Sequence, residues 1–231
     1  MSVPAYSAAA VRPRRLPDRA HASGPGRPLA LALLCVVALA LVWVIANLVP
    51  GAQYKDAVLL HDFTLLSHPR VDRVGNFLLH LLEPPIFIIW GIALVATALA
   101  RGRPRIAVAV VAVMALAPFT TETLKPLVAH PHAHVDGVWI GAASWPSGHS
   151  TAALTLALCV ALVTPSRWRP IVAALGAAFA VAVGCSLLIL EWHMPSDVLG
   201  GYLVATLWMA LAVAVLRFAE RRRPTHEHAD A

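Results

Sequence analysis

Three short clusters hold most of the residues in this sequence whose types and spacing suit chemistry. Lys125 closes the run Thr-Glu-Thr-Leu-Lys, Pro146-Ser147-Gly148-His149 precedes an apolar stretch, and His193 and Asp197 stand four residues apart across Met194-Pro195-Ser196. A Pro-Ser-Gly-His segment at a helix start presents backbone N–H groups, a hydroxyl and the positive end of a helix dipole, which suits a phosphate or another oxyanion. Gly148 lets the backbone approach closely, and Lys125 adds a point charge. A carboxylate on one ring nitrogen of His193 would orient the imidazole and leave the other nitrogen as a nucleophile or base. His149 would then protonate a leaving oxygen. Two histidines with different neighbours are enough for a covalent, two-step phosphoryl transfer.

Each residue taken alone has an ordinary reading. Ser147 can be a helix N-cap, Asp197 a carboxylate in a first helical turn, His193 an interfacial histidine and Lys125 a snorkelling lysine at the end of a span. The case for a site rests on their convergence. A second cluster, His130, His132 and His134 with Asp136 close by, reads in three ways: a zinc-type site, a phosphate contact through His132, or a solvated loop.

The elements that position these clusters are apolar helices. Of 231 residues, 59% are hydrophobic and 13% charged, and the mean hydropathy is +0.72. A soluble chain is nearer half apolar and a quarter charged, so the bilayer is the natural solvent for this one. Leu29 to Val49 gives 21 residues interrupted only by Asn47, enough to cross a hydrocarbon core of about 30 Å. Five further spans are expected near 81–100, 106–124, 149–164, 170–190 and 197–218. The segment 52–73 is too polar to span and is predicted as an interfacial helix. The fold class is therefore all-α, a polytopic membrane protein with a bundle of six transmembrane helices. Residues 1–28 are expected to form a disordered basic cytoplasmic tail, 29–218 the membrane domain and 219–231 a second cytoplasmic tail.

Basic residues set the orientation. With the N-terminus inside, the inner segments carry fourteen arginines, from Arg12 through Arg101 and Arg167 to Arg223, against Lys55, Arg70, Arg73 and Lys125 outside. The positive-inside rule puts both termini in the cytoplasm. The first two clusters share a loop and the third lies one transmembrane hairpin further on, so all three occupy one face, here the extracytoplasmic one. The net charge of +6 is topological in this setting, and nucleic-acid binding is not expected. Cys35, Cys159 and Cys185 all fall in apolar runs and read as small hydrophobes, with no disulfide framework or metal spacing.

The motifs resemble the signature of the type 2 phosphatidic acid phosphatase superfamily: Lys-x6-Arg-Pro, then Pro-Ser-Gly-His, then Ser-Arg-x5-His-x3-Asp. The matching positions are Lys125, Pro146 to His149, Ser186, His193 and Asp197. The resemblance implies metal-independent, cofactor-free hydrolysis of a membrane lipid phosphate or diphosphate, which the orientation above would put at the outer bilayer interface. It implies His193 as nucleophile, Asp197 as its orienting partner and His149 as general acid, with Lys125, Ser147 and the Gly148 amide holding the phosphate. Two family arginines are replaced, by His132 (in His132-Ala133) and by Leu187. Losing two charge-assisted hydrogen bonds costs about 3–6 kcal/mol, or roughly 10²–10⁴ in transition-state binding. Compensation would come from His132, His130, Arg70 or Arg73. The rival is a catalytically impaired homologue that binds or moves an anionic lipid. A proton-coupled transporter is disfavoured because no ionisable residue lies mid-span.

Overall fold

The structure, a computed structural model, describes residues 24–131 and 139–222. These form eight helices and, among the described residues, no strand: α1 (Gly26–Leu48), α2 (Pro50–Thr64), α3 (Pro69–His80), α4 (Pro84–Ala100), α5 (Pro104–Leu127), α6 (Gly148–Val163), α7 (Arg169–Ile189) and α8 (Pro195–Arg222). The punctuation is largely proline, which stands in the first turn of α2, α3, α4, α5 and α7. There its missing N–H costs nothing and its fixed φ favours the helix.

Four helices are long and apolar enough to cross a membrane on their own: α1, α5, α7 and α8. α3 and α4 pass that test only as a pair, bent by 56° at the break between them, and α6 is a shorter apolar helix of 16 residues. The six expected spans thus each correspond to a helix, but two of them differ from full-length spans. The segment expected as one interfacial helix over 52–73 is two helices, α2 and α3, separated by the turn before Pro69. The second span starts at Pro84 and not at 81, because Leu81-Leu82-Glu83 form the turn at the bend. α8 runs on to Arg222, four residues past the expected end at 218.

α6 lies inside the bundle, contacted by α4, α5, α7 and α8. Its small residues allow this: Ser150, Thr151, Ala152, Ala153, Thr155, Ala157 and Cys159 are all buried. At Gly176 of α7 an added Cβ would sit 2.8 Å from the Ala157 Cβ, so the two helices meet nearly backbone to backbone. Small residues at such crossings let dispersion contacts accumulate where lipid offers no hydrophobic driving force. α1 packs on α8, and its exposed Leu33, Leu34, Leu41 and Ile45 suit lipid contact.

Candidate active site

The C-terminus of α5, the N-terminus of α6 and the turn from α7 to α8 meet at one end of the bundle. At that junction the sequence motifs come together. Ser147 is the N-cap of α6: its Oγ accepts from the Ser150 N–H at 3.4 Å, and its carbonyl accepts from Ser150 Oγ at 3.1 Å and Thr151 Oγ1 at 2.8 Å. Its own N–H donates to the Asp197 carbonyl at 2.9 Å, which ties the start of α6 to the start of α8. The approach needs Gly201 on α8, where a Cβ would collide with Ser150 Oγ and come within 2.5 Å of the Ser147 carbonyl. Ser147 is fully buried, so its cap is the contact the structure displays.

His193 and Asp197 form the pair that their spacing suggests. Nδ1 of His193 is 3.2 Å from Oδ2 of Asp197, which also accepts from the Met194 N–H at 2.9 Å. Asp197 is fully buried and its Oδ1 has no hydrogen-bond partner among the described residues. A buried carboxylate next to the ring fixes the proton on Nδ1 and leaves Nε2 as the nitrogen with a free lone pair. The His193 side chain keeps 13% of its exposure, enough for that edge to reach a substrate.

His149, in the first turn of α6, stacks edge-on against Trp192, with ring centroids 5.6 Å apart. It lies within electrostatic reach of His193, Lys125, Glu83 and Glu122. Lys125 ends α5, where Trp43 of α1 donates from Nε1 to the Val128 carbonyl at 3.1 Å and anchors the helix terminus. Its ammonium binds Glu122 Oε1 at 2.7 Å, and both groups face Gly148: a Cβ there would be 3.1 Å from Glu122 Oε1 and 3.6 Å from Lys125 Nζ. Gly148 thereby keeps its amide approachable, with a cation alongside. A phosphate entering here would displace Glu122 as the lysine's partner.

Leu187, at the position of the third-motif arginine, is fully buried in the core and lends its carbonyl to the Trp192 N–H at 2.9 Å. His132 lies outside the described residues, as do His134 and Asp136. Among the described residues no group of three His, Cys, Asp or Glu side chains could hold a metal ion. His130 is described: its N–H donates to the Ala142 carbonyl at 3.0 Å, and its Nδ1 lies 2.9 Å from the Pro131 carbonyl oxygen. Arg70 and Arg73 are exposed on α3, and no side-chain bond joins either to the site among the described residues.

Sequence reasoning missed two residues. Asp56 on α2 accepts from Ser196 Oγ at 2.6 Å and from the Ser196 N–H at 3.2 Å. It therefore grips the residue between His193 and Asp197. Glu83, at the α3–α4 bend, contributes negative charge near His149. Neither has a local pattern that marks it; only an acidic residue in an otherwise amphipathic outer segment hinted at Asp56.

The arrangement is a histidine with a buried carboxylate partner, a second histidine nearby, and a lysine beside a helix N-terminus. No curated protein matches the sequence. The fold is similar to the crystal structure of a transmembrane PAP2-type phosphatidylglycerolphosphate phosphatase from Bacillus subtilis, with a TM-score of 0.61 and 20% identity over 87% of this chain and 98% of that one. The model of the PAP2 superfamily matches residues 106–221, half of the chain and the segment that carries all three motifs. This chain is a polytopic helical membrane protein that belongs to the PAP2 superfamily, and family and fold together support a phosphatase.

Proposed function

We propose that the protein hydrolyses a lipid phosphate or diphosphate through a phosphohistidine on His193. The observation that carries this reading is the His193–Asp197 pair, 3.2 Å apart with the carboxylate fully buried. Nε2 of His193 attacks phosphorus, the bond from phosphorus to the leaving oxygen breaks, and protonated His149 gives that oxygen its proton. Neutral His149 then takes a proton from water as the water attacks the phosphohistidine. The P–N bond breaks, inorganic phosphate leaves, and both histidines return to their starting states. Asp197 holds the Nδ1 proton throughout and stabilises the positive charge that develops on the ring. Lys125 and the Gly148 amide neutralise the phosphoryl oxygens. No step calls for a metal ion or cofactor.

Two features support a site at the bilayer interface. α6 is about 24 Å long at ~1.5 Å per residue, shorter than the hydrocarbon core, so a site at its N-terminus is within reach of a lipid headgroup. Beside it, a groove of about 390 Å³ runs between α1, α2 and α8, lined by Val42, Ile45, Leu59 and Leu199 and ending at Ser196. A substrate with an apolar tail fits that placement, and the arginine distribution assigns this end to the extracytoplasmic side of the cell membrane.

Purified protein assayed for phosphate release against phosphatidic acid, phosphatidylglycerol phosphate and a polyprenyl diphosphate tests the proposal. Turnover of at least one, in the presence of a chelator, is expected. Binding of these lipids without release would favour the non-catalytic alternative, for which the replaced arginines speak.

A further inference from the structure

At the opposite end of the bundle lies a larger cavity, about 950 Å³, between the start of α5, the end of α6, the start of α7 and the end of α8. α5 spans roughly 36 Å at ~1.5 Å per residue, so this cavity and the His193 site lie a membrane thickness apart. Its floor is apolar, made by Ile106, Leu158, Leu162, Met209 and Val213, and four arginines line it: Arg103, Arg105, Arg169 and Arg217, with Glu220 as the one acidic residue.

The positive-inside rule accounts for arginines at this membrane face but not for how they are disposed. Arg169 is committed, donating to the carbonyls of Ala161 at 3.2 Å and Thr164 at 3.3 Å at the end of α6. Arg217 reaches the Gly24 carbonyl at 3.5 Å. Arg103 and Arg105 make no side-chain hydrogen bond or ion pair among the described residues, although Arg103 is half-buried. α5 and α7 also begin here, and neither has a side chain capping its N-terminus. Two positive helix ends and two uncommitted guanidinium groups therefore face one cavity with an apolar floor.

We propose that this cavity binds an anionic phospholipid of the leaflet opposite the active site. Its phosphate would sit against Arg103, Arg105 and the α5 N-terminus, with an acyl chain along Leu158, Leu162 and Val213. Paired guanidinium donors match phosphate geometry, and the positive end of the α5 dipole adds to them. The floor matches a hydrocarbon chain, which a soluble anion would leave unused. The proposal is independent of the chemistry at His193.

Native mass spectrometry of the full-length protein, offered phosphatidylglycerol and phosphatidylcholine with identical acyl chains, tests it. The wild type should retain one phosphatidylglycerol in preference to phosphatidylcholine. The double variant R103Q/R105Q should lose that preference by about tenfold or more, the order expected for charge-assisted bonds. A second variant, L162W, keeps every charge but fills the floor, and it should weaken retention too. This arm decides the matter if the double variant fails to fold. Equal retention of the two lipids by wild type, unchanged retention in L162W, or displacement of the lipid by millimolar inorganic phosphate would each overturn the assignment.

Discussion

Asp56 and Ser196 are 140 residues apart in the chain and joined by two hydrogen bonds, of 2.6 Å from the hydroxyl and 3.2 Å from the amide. Ser196 is flanked by the residues that make the His193–Asp197 pair, so α2 acts as a brace on the turn that carries the proposed nucleophile. Removing the Asp56 carboxylate leaves a half-buried amide and hydroxyl without their partner, at a cost of about 1 kcal/mol. Asp56→Ala should lower thermal stability by that order. It should also reduce kcat more than it raises KM, because the turn is displaced while the phosphate cradle on α5 and α6 remains. Steady-state kinetics and a melting curve on the same preparation check both.

The same carboxyl gives a pH signature. Asp56 lies on α2, outside the helices long and apolar enough to span, and burial pushes it above its ordinary value; the two Ser196 bonds oppose that shift, and the nearby Asp197 charge adds to it. A carboxyl with a raised folded-state pKa binds more protons folded than unfolded, so its contribution to stability is full below about pH 4 and is lost as pH rises through the raised value. Asp56→Asn removes that titration. Melting temperature against pH should therefore fall less steeply above about pH 4 in Asp56→Asn than in wild type. Parallel curves would show that Asp56 does not titrate in this range.

Gly201 permits the contact between α6 and α8 on which the position of Ser147 depends. Gly201→Ala forces a methyl group against Ser150 and the Ser147 carbonyl, an overpacking that costs about 1–3 kcal/mol. Activity should fall together with stability, and Gly51→Ala, which meets no neighbour within 4 Å on helix α2, should leave activity unchanged and stability equal or slightly higher.

Much of this architecture is legible in the residue order. α1, α5, α7 and α8 follow from long apolar runs, and the motifs fall at helix ends where chain reversals must put them. The bend between α3 and α4 is less visible, because a hydropathy window averages across Leu81-Leu82-Glu83 and cannot register a 56° change of direction. The brace by Asp56, the stacking of Trp192 on His149 and the close approach at Gly201 are tertiary contacts. Their partners lie 43 to 140 residues away, and no local period encodes them. The Ser147 hydroxyl accepts from the Ser150 N–H as a helix cap, the plainer of its two readings in the sequence, and its O–H is left to donate, as the phosphate reading requires.

Insertion with both termini in the cytoplasm rests on the arginine distribution. Single cysteines at positions 168 and 137, in a background lacking Cys35, Cys159 and Cys185, should differ in intact cells. An impermeant maleimide should label position 137 and spare position 168. The reverse pattern would invert the topology and move the His193 site to the cytoplasmic face.

The replaced arginine at His132 makes a further pH prediction from sequence alone. A histidine helps to bind phosphate only while protonated, and its ordinary pKa is near 6.5, whereas arginine stays charged. The variant carrying His132→Arg with Ala133→Pro should bind substrate more tightly above about pH 7 and little differently near pH 5.5. Identical pH profiles of kcat/KM in wild type and variant would remove His132 from the phosphate site.

The most direct test of the central claim is to look for the covalent intermediate. Purified protein mixed with a ³²P-labelled lipid phosphate and quenched within milliseconds in alkali should carry label that is stable to base and lost in mild acid, the behaviour of a phosphorus–nitrogen bond. The label should map to the peptide containing His193. It should form more slowly in His149→Ala, where the leaving oxygen lacks its acid, decay more slowly there because hydrolysis lacks its base, and be absent from His193→Ala. Steady phosphate release with no protein-bound label in wild type or His149→Ala, or release undiminished in His193→Ala, would contradict the account.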